Sequence, residues 1–377
     1  MKLRIEHDVF VDAVSWTART IPARPSLPIL SGIKIEANAD GSIELSAYDP
    51  DVSSYAVIEG SVDEPGTILV SGKLLADYAR ALPNKPVDLE VEGAKLDLVC
   101  GSSRMAMASM PLEDYPDQPE LKGTSGIING ADWQNAVMQA ATAASNDDTL
   151  PLLVSICIEI HGSEISLMAT DRYRLAVSKV SWEPEDKDFE ARILVRSARL
   201  SDIARALGSA GNVKMTIDNS GRAGMIGFEA AGRRNIARLI DGDYPQVLSL
   251  FPESVNGYAV MNRVEMIDAL KRARLVVEKN SAVRLAFSEG EVVIDAGQND
   301  NAQTSEAVQV GLSGDDITMA FNPAFLHEGL SALHTEFVRL SYTHPTKPAV
   351  ITGQPEAEGE DSEDFRLLLM PIRTFSN

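Results

Sequence analysis

A strand-into-helix phrase is written twice in this chain. "ILVSGKLLADYARAL" begins at Ile68 and "ILVRSARLSDIARAL" at Ile193, 125 residues apart and identical at nine of fifteen positions. Such a repeat constrains the fold more than any local propensity, because equivalent segments take equivalent places in equivalent packing units. A further step of 126 residues reaches "MAFNPAFLHEGLSAL" at Met319. That copy keeps Leu326, Ala332 and Leu333, and the same order: a short strand, a polar break, then apolar residues at helical spacing. One third of the 377 residues is about 126, so repeat period and length agree on three units. Solenoid repeats run to roughly 20–50 residues. A unit of this size is instead a whole domain with its own core.

A second marker fixes the register. "RMAMASMPLEDYP" (104–116) and "RRNIARLIDGDYP" (233–245) both run from Arg to Asp-Tyr-Pro in the same number of residues. Each reads as an alternating strand leaving through a proline turn. Domain boundaries are expected just beyond them, giving units 1–120, 121–253 and 254–377. Each unit opens on a helix candidate. "DVFVDAVSWTART" places Val9, Val11, Val14, Trp16 and Ala18 near one face or its flank, "ADWQNAVMQAATAA" follows Asn129, and "NRVEMIDALKRARLVV" has Asn262 as a cap. Alternating strands such as "SIELSAYD", "EISLMAT" and "FVRLSYT" lie between the helices. The fold class is therefore α+β: three tandem repeats, with helices gathered on one side of antiparallel sheets. Three copies suggest an arc, and an arc with matching ends closes by dimerisation into a ring of six domains.

Composition excludes several classes. No run of about 18 apolar residues offers a membrane span. The charged start "MKLRIEHDVF" is unlike a signal peptide, so a cytoplasmic location is expected. Cys100 and Cys157 sit in apolar strand-like runs and read as buried thiols. The five histidines show no metal-ligand spacing, so no metal and no cofactor is expected. Net charge is −21, which opposes indiscriminate nucleic-acid binding. It does not forbid a local basic surface, because exposed charges are screened beyond a Debye length of about 8–10 Å. Basic residues do concentrate on the repeated helices: Lys73, Arg80, Arg196, Arg199 and Arg205, with Lys271, Arg272 and Arg274 on the third opening helix. On charge alone these read equally as solvated helix faces. Set at equivalent places in three domains, they would line a basic hole that holds duplex DNA by its phosphates.

Four segments carry a family resemblance. "RPSLPILSGI" (24–33), "ATDRYRLAV" (169–177), "DGDYPQV" (241–247) and "LMPIR" (369–373) stand in the order and at the spacing of the bacterial sliding clamps, the beta subunit of DNA polymerase III. The chain resembles that family over essentially its full length. The resemblance implies a non-enzymatic processivity factor: a homodimeric ring around duplex DNA, nucleoid-associated and placed by a clamp loader. It would tether the polymerase alpha subunit and other proteins with a clamp-binding motif. It also implies a peptide pocket formed by Leu153, Thr170, Arg172, Arg174, Leu175, Pro245, Val247, Ala349, Val350, Leu368, Met370, Pro371, Ile372 and Arg373. Arg174 or Arg373 would hold the peptide backbone or its carboxylate. Without the resemblance, "LLLMPIR" reads as a last core strand and Arg174 as a surface residue.

For DNA the resemblance points to Arg24 and Lys73, with Arg80, Arg196 and Arg199 alongside. Ser197 and Ala198 stand where relatives often carry basic residues. For the ring joint it points to Met105 and Met107 on an edge strand, and to Leu275 and Val276 on the helix "ARLVV". Ile372 replaces a frequent methionine, and the chain runs on past Arg373 as "TFSN". A multi-domain protein-binding scaffold that never encircles DNA is the alternative. An enzyme built on Asp171, Arg172 and Arg174 lacks a general base and an activated nucleophile.

Overall fold

The computed structural model describes residues 1–22, 24–117, 119–218, 224–278, 281–299 and 302–373. The chain makes three passes through one order of elements. The first pass is β1 (Lys2–Ile5), α1 (His7–Ala18), β2 (Gly32–Ala37), β3 (Ser42–Asp49), β4 (Val52–Glu59), β5 (Ser61–Glu64), β6 (Gly66–Ser71), α2 (Gly72–Ala81), β7 (Val87–Glu92), β8 (Lys95–Cys100) and β9 (Ser103–Ala108). The second is β10 (Thr124–Asn129), α3 (Gly130–Ala141), β11 (Ser155–His161), β12 (Glu164–Thr170), β13 (Arg174–Ser181), β14 (Glu183–Pro184), β15 (Glu190–Arg196), α4 (Ser197–Leu207), β16 (Asn212–Asp218), β17 (Met225–Ala230) and β18 (Arg233–Arg238). The third is β19 (Gly257–Asn262), α5 (Arg263–Arg274), β20 (Val283–Ser288), β21 (Gly290–Asn299), β22 (Ala302–Ser313), β23 (Ile317–Phe321), α6 (Pro323–Ser331), β24 (Phe337–Tyr342), β25 (Ala349–Gln354) and β26 (Ser362–Leu369). The duplicated phrase is β6–α2 and β15–α4, and the copy at Met319 is β23–α6.

Two details differ from the sequence reading. A strand, not a helix, opens each pass (β1, β10, β19). On α1 the buried face is Phe10, Ala13, Val14, Trp16 and Thr17, and Val9 is exposed. Phe10 sets the phase of that helix, and the buried Thr17 hydroxyl is satisfied by donating to the Ala13 carbonyl at 2.8 Å. The cap on α5 is as expected: the Asn262 side chain accepts from the backbone N–H groups of Val264 and Glu265. Asn322 caps α6 in the same way, accepting from Ala324 and Phe325.

The sheets do not stop at the ends of the passes. In one, the order is β14-β10-β16-β17-β18-β4-β3-β2-β6; in another it is β15-β11-β12-β13-β26-β25-β24-β19-β22-β21-β20-β23. The second pass is thus divided. Its β18 pairs antiparallel with β4 from Arg233↔Ala56 to Ala237↔Val52, and its β13 pairs with β26 from Arg174↔Leu369 to Ser178↔Phe365. Contacts accordingly separate the chain into two compact units. One holds Met1–Ala131, Glu183–Asp186 and Arg205–Leu239; the other holds Asp132–Trp182, Lys187–Ala204 and the chain from Ile240 onward. A third sheet, β5-β1-β7-β8-β9, completes the first unit and ends on β9 as an edge.

Alternation decides most strand faces: β1 and β24 bury every second residue, whereas every residue of β25 is buried. Both cysteines are buried free thiols. Each capping asparagine supplies about 1 kcal/mol. Asn262→Ala should therefore lower the thermal midpoint by about 2 °C, while Asn262→Asp, which keeps the acceptor, should leave it near wild type.

Candidate functional site: a turn, a tail and an apolar floor

The segment Thr170–Arg174, between β12 and β13, is a hydrogen-bonded knot. The backbone N–H groups of Tyr173 and Arg174 both donate to Asp171 Oδ1 at 3.0 Å. The Thr170 hydroxyl donates to the Arg174 carbonyl at 2.7 Å and accepts from the Arg172 N–H at 3.2 Å. Arg172 has φ +79°, a left-handed conformation that costs a non-glycine residue roughly 1–2 kcal/mol. These bonds hold the turn in that state and leave Arg172 and Tyr173 pointing out, with Tyr173 60% exposed.

Arg174 is one of the two residues expected to hold a peptide's backbone or its carboxylate. It is buried; its Nε donates to Asp171 Oδ2 at 3.0 Å, and its guanidinium also pairs with Glu328 and stacks over Phe325, 4.1 Å from the ring centre. Buried charge survives only when paired. Arg174 therefore fastens the turn to α6 and positions the site. Arg373 is the exposed cation of the two.

The tail lies against the same turn. Met370 N–H donates to the Tyr173 carbonyl at 2.9 Å, and Ile372 N–H donates to the Ala320 carbonyl of β23 at 2.7 Å. Beneath them Cys157, Met168, Leu175, Val177, Leu194, Tyr244, Val247 and Leu368 form one buried cluster, flanked by Leu152, Ile240 and Phe251. Ala349 and Val350 are buried and paired in register with Leu369 and Leu368. Leu153 is half-buried in the turn before β11. The expected residues thus separate into two sets. Thr170, Leu175, Val247, Ala349, Val350 and Leu368 are floor, whereas Arg172, Pro245, Met370, Ile372 and Arg373 are exposed rim with Pro371 half-buried. Residues 374–377, the "TFSN" tail, lie outside the described residues.

Sequence reasoning missed Tyr244, Leu152 and Phe251, although Tyr244 is the centre of the Asp-Tyr-Pro marker. Its hydroxyl accepts from Thr170 N–H at 2.9 Å, and burial pushes its ionisation above the ordinary tyrosine value. Burial also pushes the Cys157 thiol up, against the opposing effect of Arg192. Arg192 is itself held by Glu159 at 2.9 Å and by the Tyr244 carbonyl at 3.1 Å.

The basic residues occupy mixed positions. Arg24 is exposed in the bend after α1, and Lys73 is exposed in the first turn of α2. Arg80 is exposed and pairs with Asp77. Arg196 is not on the helix: it ends β15 and pairs with Asp148 at 3.1 Å. Arg199 is half-buried on α4. On α5, Lys271 pairs with Asp268 and Arg272 with Glu306, while Arg274 is exposed. Such exposed pairs are worth little, so a phosphate can displace them. His327 on α6, which aligns with Ala76 and Ser201 of the first two copies, titrates lower than usual because of burial and the nearby Arg274 and Lys271.

The residues expected at a joint also differ from one another. Met105 is half-buried on the edge strand β9, but Met107 is 3% exposed and belongs to the core of its own sheet. The helix ends at Arg274, one residue short of the expected pair. Leu275 is its C-cap and is 85% exposed, and Val276 follows, half-buried.

Three tandem repeats of a clamp-type α+β domain are what the fold defines. Family models for the DNA polymerase III beta subunit match in order: its N-terminal domain over residues 1–119, its central domain over 127–246 and its C-terminal domain over 248–373. The beta sliding clamp of Streptomyces coelicolor is 45% identical over 374 residues, 99% of each chain. That of Micrococcus luteus is 42% identical over 82% of this chain and 98% of its own. The crystal structure of the Bacillus subtilis DNA polymerase sliding clamp superposes with a TM-score of 0.91 over the whole of both chains at 24% identity, a likeness of fold. The chain belongs to the DNA polymerase III beta subunit family, the beta sliding clamps. It is a DNA sliding clamp, a processivity factor of replication and not an enzyme. No helix among the described residues is long and apolar enough to cross a membrane.

Because Tyr244 is kept neutral in the fold, its stabilising effect is complete below the unfolded value near pH 10 and is lost as pH rises toward the higher folded value. In thermal melts between about pH 8 and about pH 11, wild type should lose stability above about pH 10 more steeply than Tyr244→Phe.

Proposed function

We propose that two copies of this chain close head to tail into a ring around duplex DNA. The pocket of each copy receives apolar-anchored peptides from the polymerase alpha subunit, the clamp loader and other proteins with a clamp-binding motif. The domains divide at about 120 and 253, and the protein works in the cytoplasm on the nucleoid.

One observation carries the ring. At each joint inside the chain, the closing strand of one hairpin pairs with the second strand of a hairpin in a neighbouring pass: β18 with β4, and β26 with β13. Two strands of these kinds are left over among the described residues. They are β9, an edge, and the first half of β22, which is bonded to β21 on one side while only Val310–Ser313 reach β19. Pairing β9 of one copy with β22 of the other repeats the two internal joints and removes both open edges. Met105 on β9, and Leu275 and Val276 at the end of α5, supply apolar surface beside that pairing. Met107 supports it from the core.

The pocket reading rests on the buried floor beneath an exposed rim. A fully buried anchor side chain is worth roughly 1.5–3 kcal/mol, and Met370 adapts to differing anchors. Arg373 is the cation that meets a partner's backbone or carboxylate.

Arg24, Lys73 and Arg80, with Arg196 and Arg199, hold phosphates without reading bases, and the overall charge of −21 suppresses binding elsewhere.

Three measurements test this. The protein should run at about twice 40.7 kDa in solution, and Leu275→Asp should bring it to the monomer mass. A wild type that stays monomeric at micromolar concentration would sink the ring. Charge reversal at Arg24 and Lys73 should shorten retention on closed circular DNA by about tenfold after loading; a scaffold that never encircles DNA would be indifferent. Removing residues 370–377 should abolish binding of polymerase-derived peptides and leave the dimer intact.

A further inference from the structure

Leu248 and Leu250, in the short turn after Tyr244, are 46% and 57% exposed. They are not on a loose loop. Val247 and Phe251 on either side pack into the pocket floor, Leu250 N–H donates to the Val247 carbonyl at 3.0 Å, and Arg366 stacks over Phe251 at 4.6 Å. Two apolar side chains are thus held out on a fixed ledge that continues the pocket.

The first joint shows what this segment does when the chain covers it. There Asp51 N–H donates to Asp49 Oδ1 at 3.0 Å and Arg238 N–H to the Asp51 carbonyl at 2.9 Å. These match Tyr173 with Asp171 and Met370 with Tyr173 at the second joint. Tyr115 is buried as Tyr244 is, so counting from the two tyrosines sets Pro119 opposite Leu248 and Leu121 opposite Leu250. Pro119 lines a small cavity of about 110 Å³ with Tyr48 and Ile236, and Leu121 lies on Gly227, where an added Cβ would fall 2.0 Å from its methyl group. Register identifies the counterpart of Gly227. Gly227 faces Ile236, which faces Ser53; Val350 faces Leu368, which faces Leu175. Val350 therefore stands where the first joint has no side chain, and Leu250 cannot lie down.

We propose that Leu248 and Leu250 are an accessory docking ledge for the stretch that flanks the anchor peptide in the same partner, a stretch with an apolar residue and neighbouring Lys or Arg. The proposal rests on the peptide-pocket reading. Continuity with the pocket floor fixes which polypeptide reaches the ledge. Charge fixes its flank, because Asp241, Asp243 and Glu253 are exposed on either side of the two leucines.

The test compares two polymerase-derived probes on the full-length dimer: a peptide of about five residues carrying only the anchors, and one of about twenty residues extended with leucine and lysine. Leu248→Ser with Leu250→Ser should weaken the long peptide at least about fivefold and leave the short one within about twofold. Asp241→Asn with Asp243→Asn should reduce the salt dependence of the long peptide alone. Unchanged binding of the long peptide to the leucine variant overturns the ledge. An equal loss for both peptides does so as well, because it assigns the leucines to pocket support. If wild type binds neither peptide, the pocket reading fails first, and the ledge with it.

Discussion

Strand pairing between passes is the interaction on which the rest depends. A domain of about 125 residues that ended its sheets at its own boundaries would leave edges open to any other chain. Here the closing hairpin of one pass is completed by its neighbour through five register pairs at each joint. The second pass is consequently shared between two compact units, although it is a single repeat in sequence. Among the described residues the same kind of pairing is missing on one side of β9 and of the first half of β22.

The site inherits its rigidity from a joint. The β13–β26 pairing brings the Asp171 turn, the tail from Met370 and the Asp-Tyr-Pro segment together. Buried polar groups then fix them: Tyr244 under Thr170, and Arg174 between Asp171 and Glu328. The walls around this turn are thus ordered by the chain's own hydrogen bonds and ion pairs. The two joints diverge by a side chain, Val350 against Gly227, which keeps the second ledge open while the first is covered by its own connection.

Much of this was legible before any coordinates. Nine identities in fifteen residues, the Asp-Tyr-Pro register and the division by three gave the repeat, the class and the order of helices. Most of the residues that lie together around the Asp171 turn were named from the family resemblance. Three side chains face in directions that the sequence did not show. Val9 was placed by helical spacing, and Met107 and Arg174 by the family resemblance; neither says which way a side chain faces. Val9 is turned out by the phase that Phe10 sets; Met107 is turned in by the alternation of β9. Arg174 is drawn under by two carboxylates, one of them on α6, 154 residues away.

Local pattern and internal repetition are properties of the sequence itself, because helix and strand periods and turn residues act over a few positions. The sequence alone therefore determined three α+β units, the Asn262 cap, and the strand-and-helix phrase shared between the units. Which strand of one pass meets which strand of the next was decided only in the folded chain. So was the separation of the expected pocket residues into a buried and an exposed set. The pairings between passes join residues more than a hundred positions apart, and no local pattern encodes those.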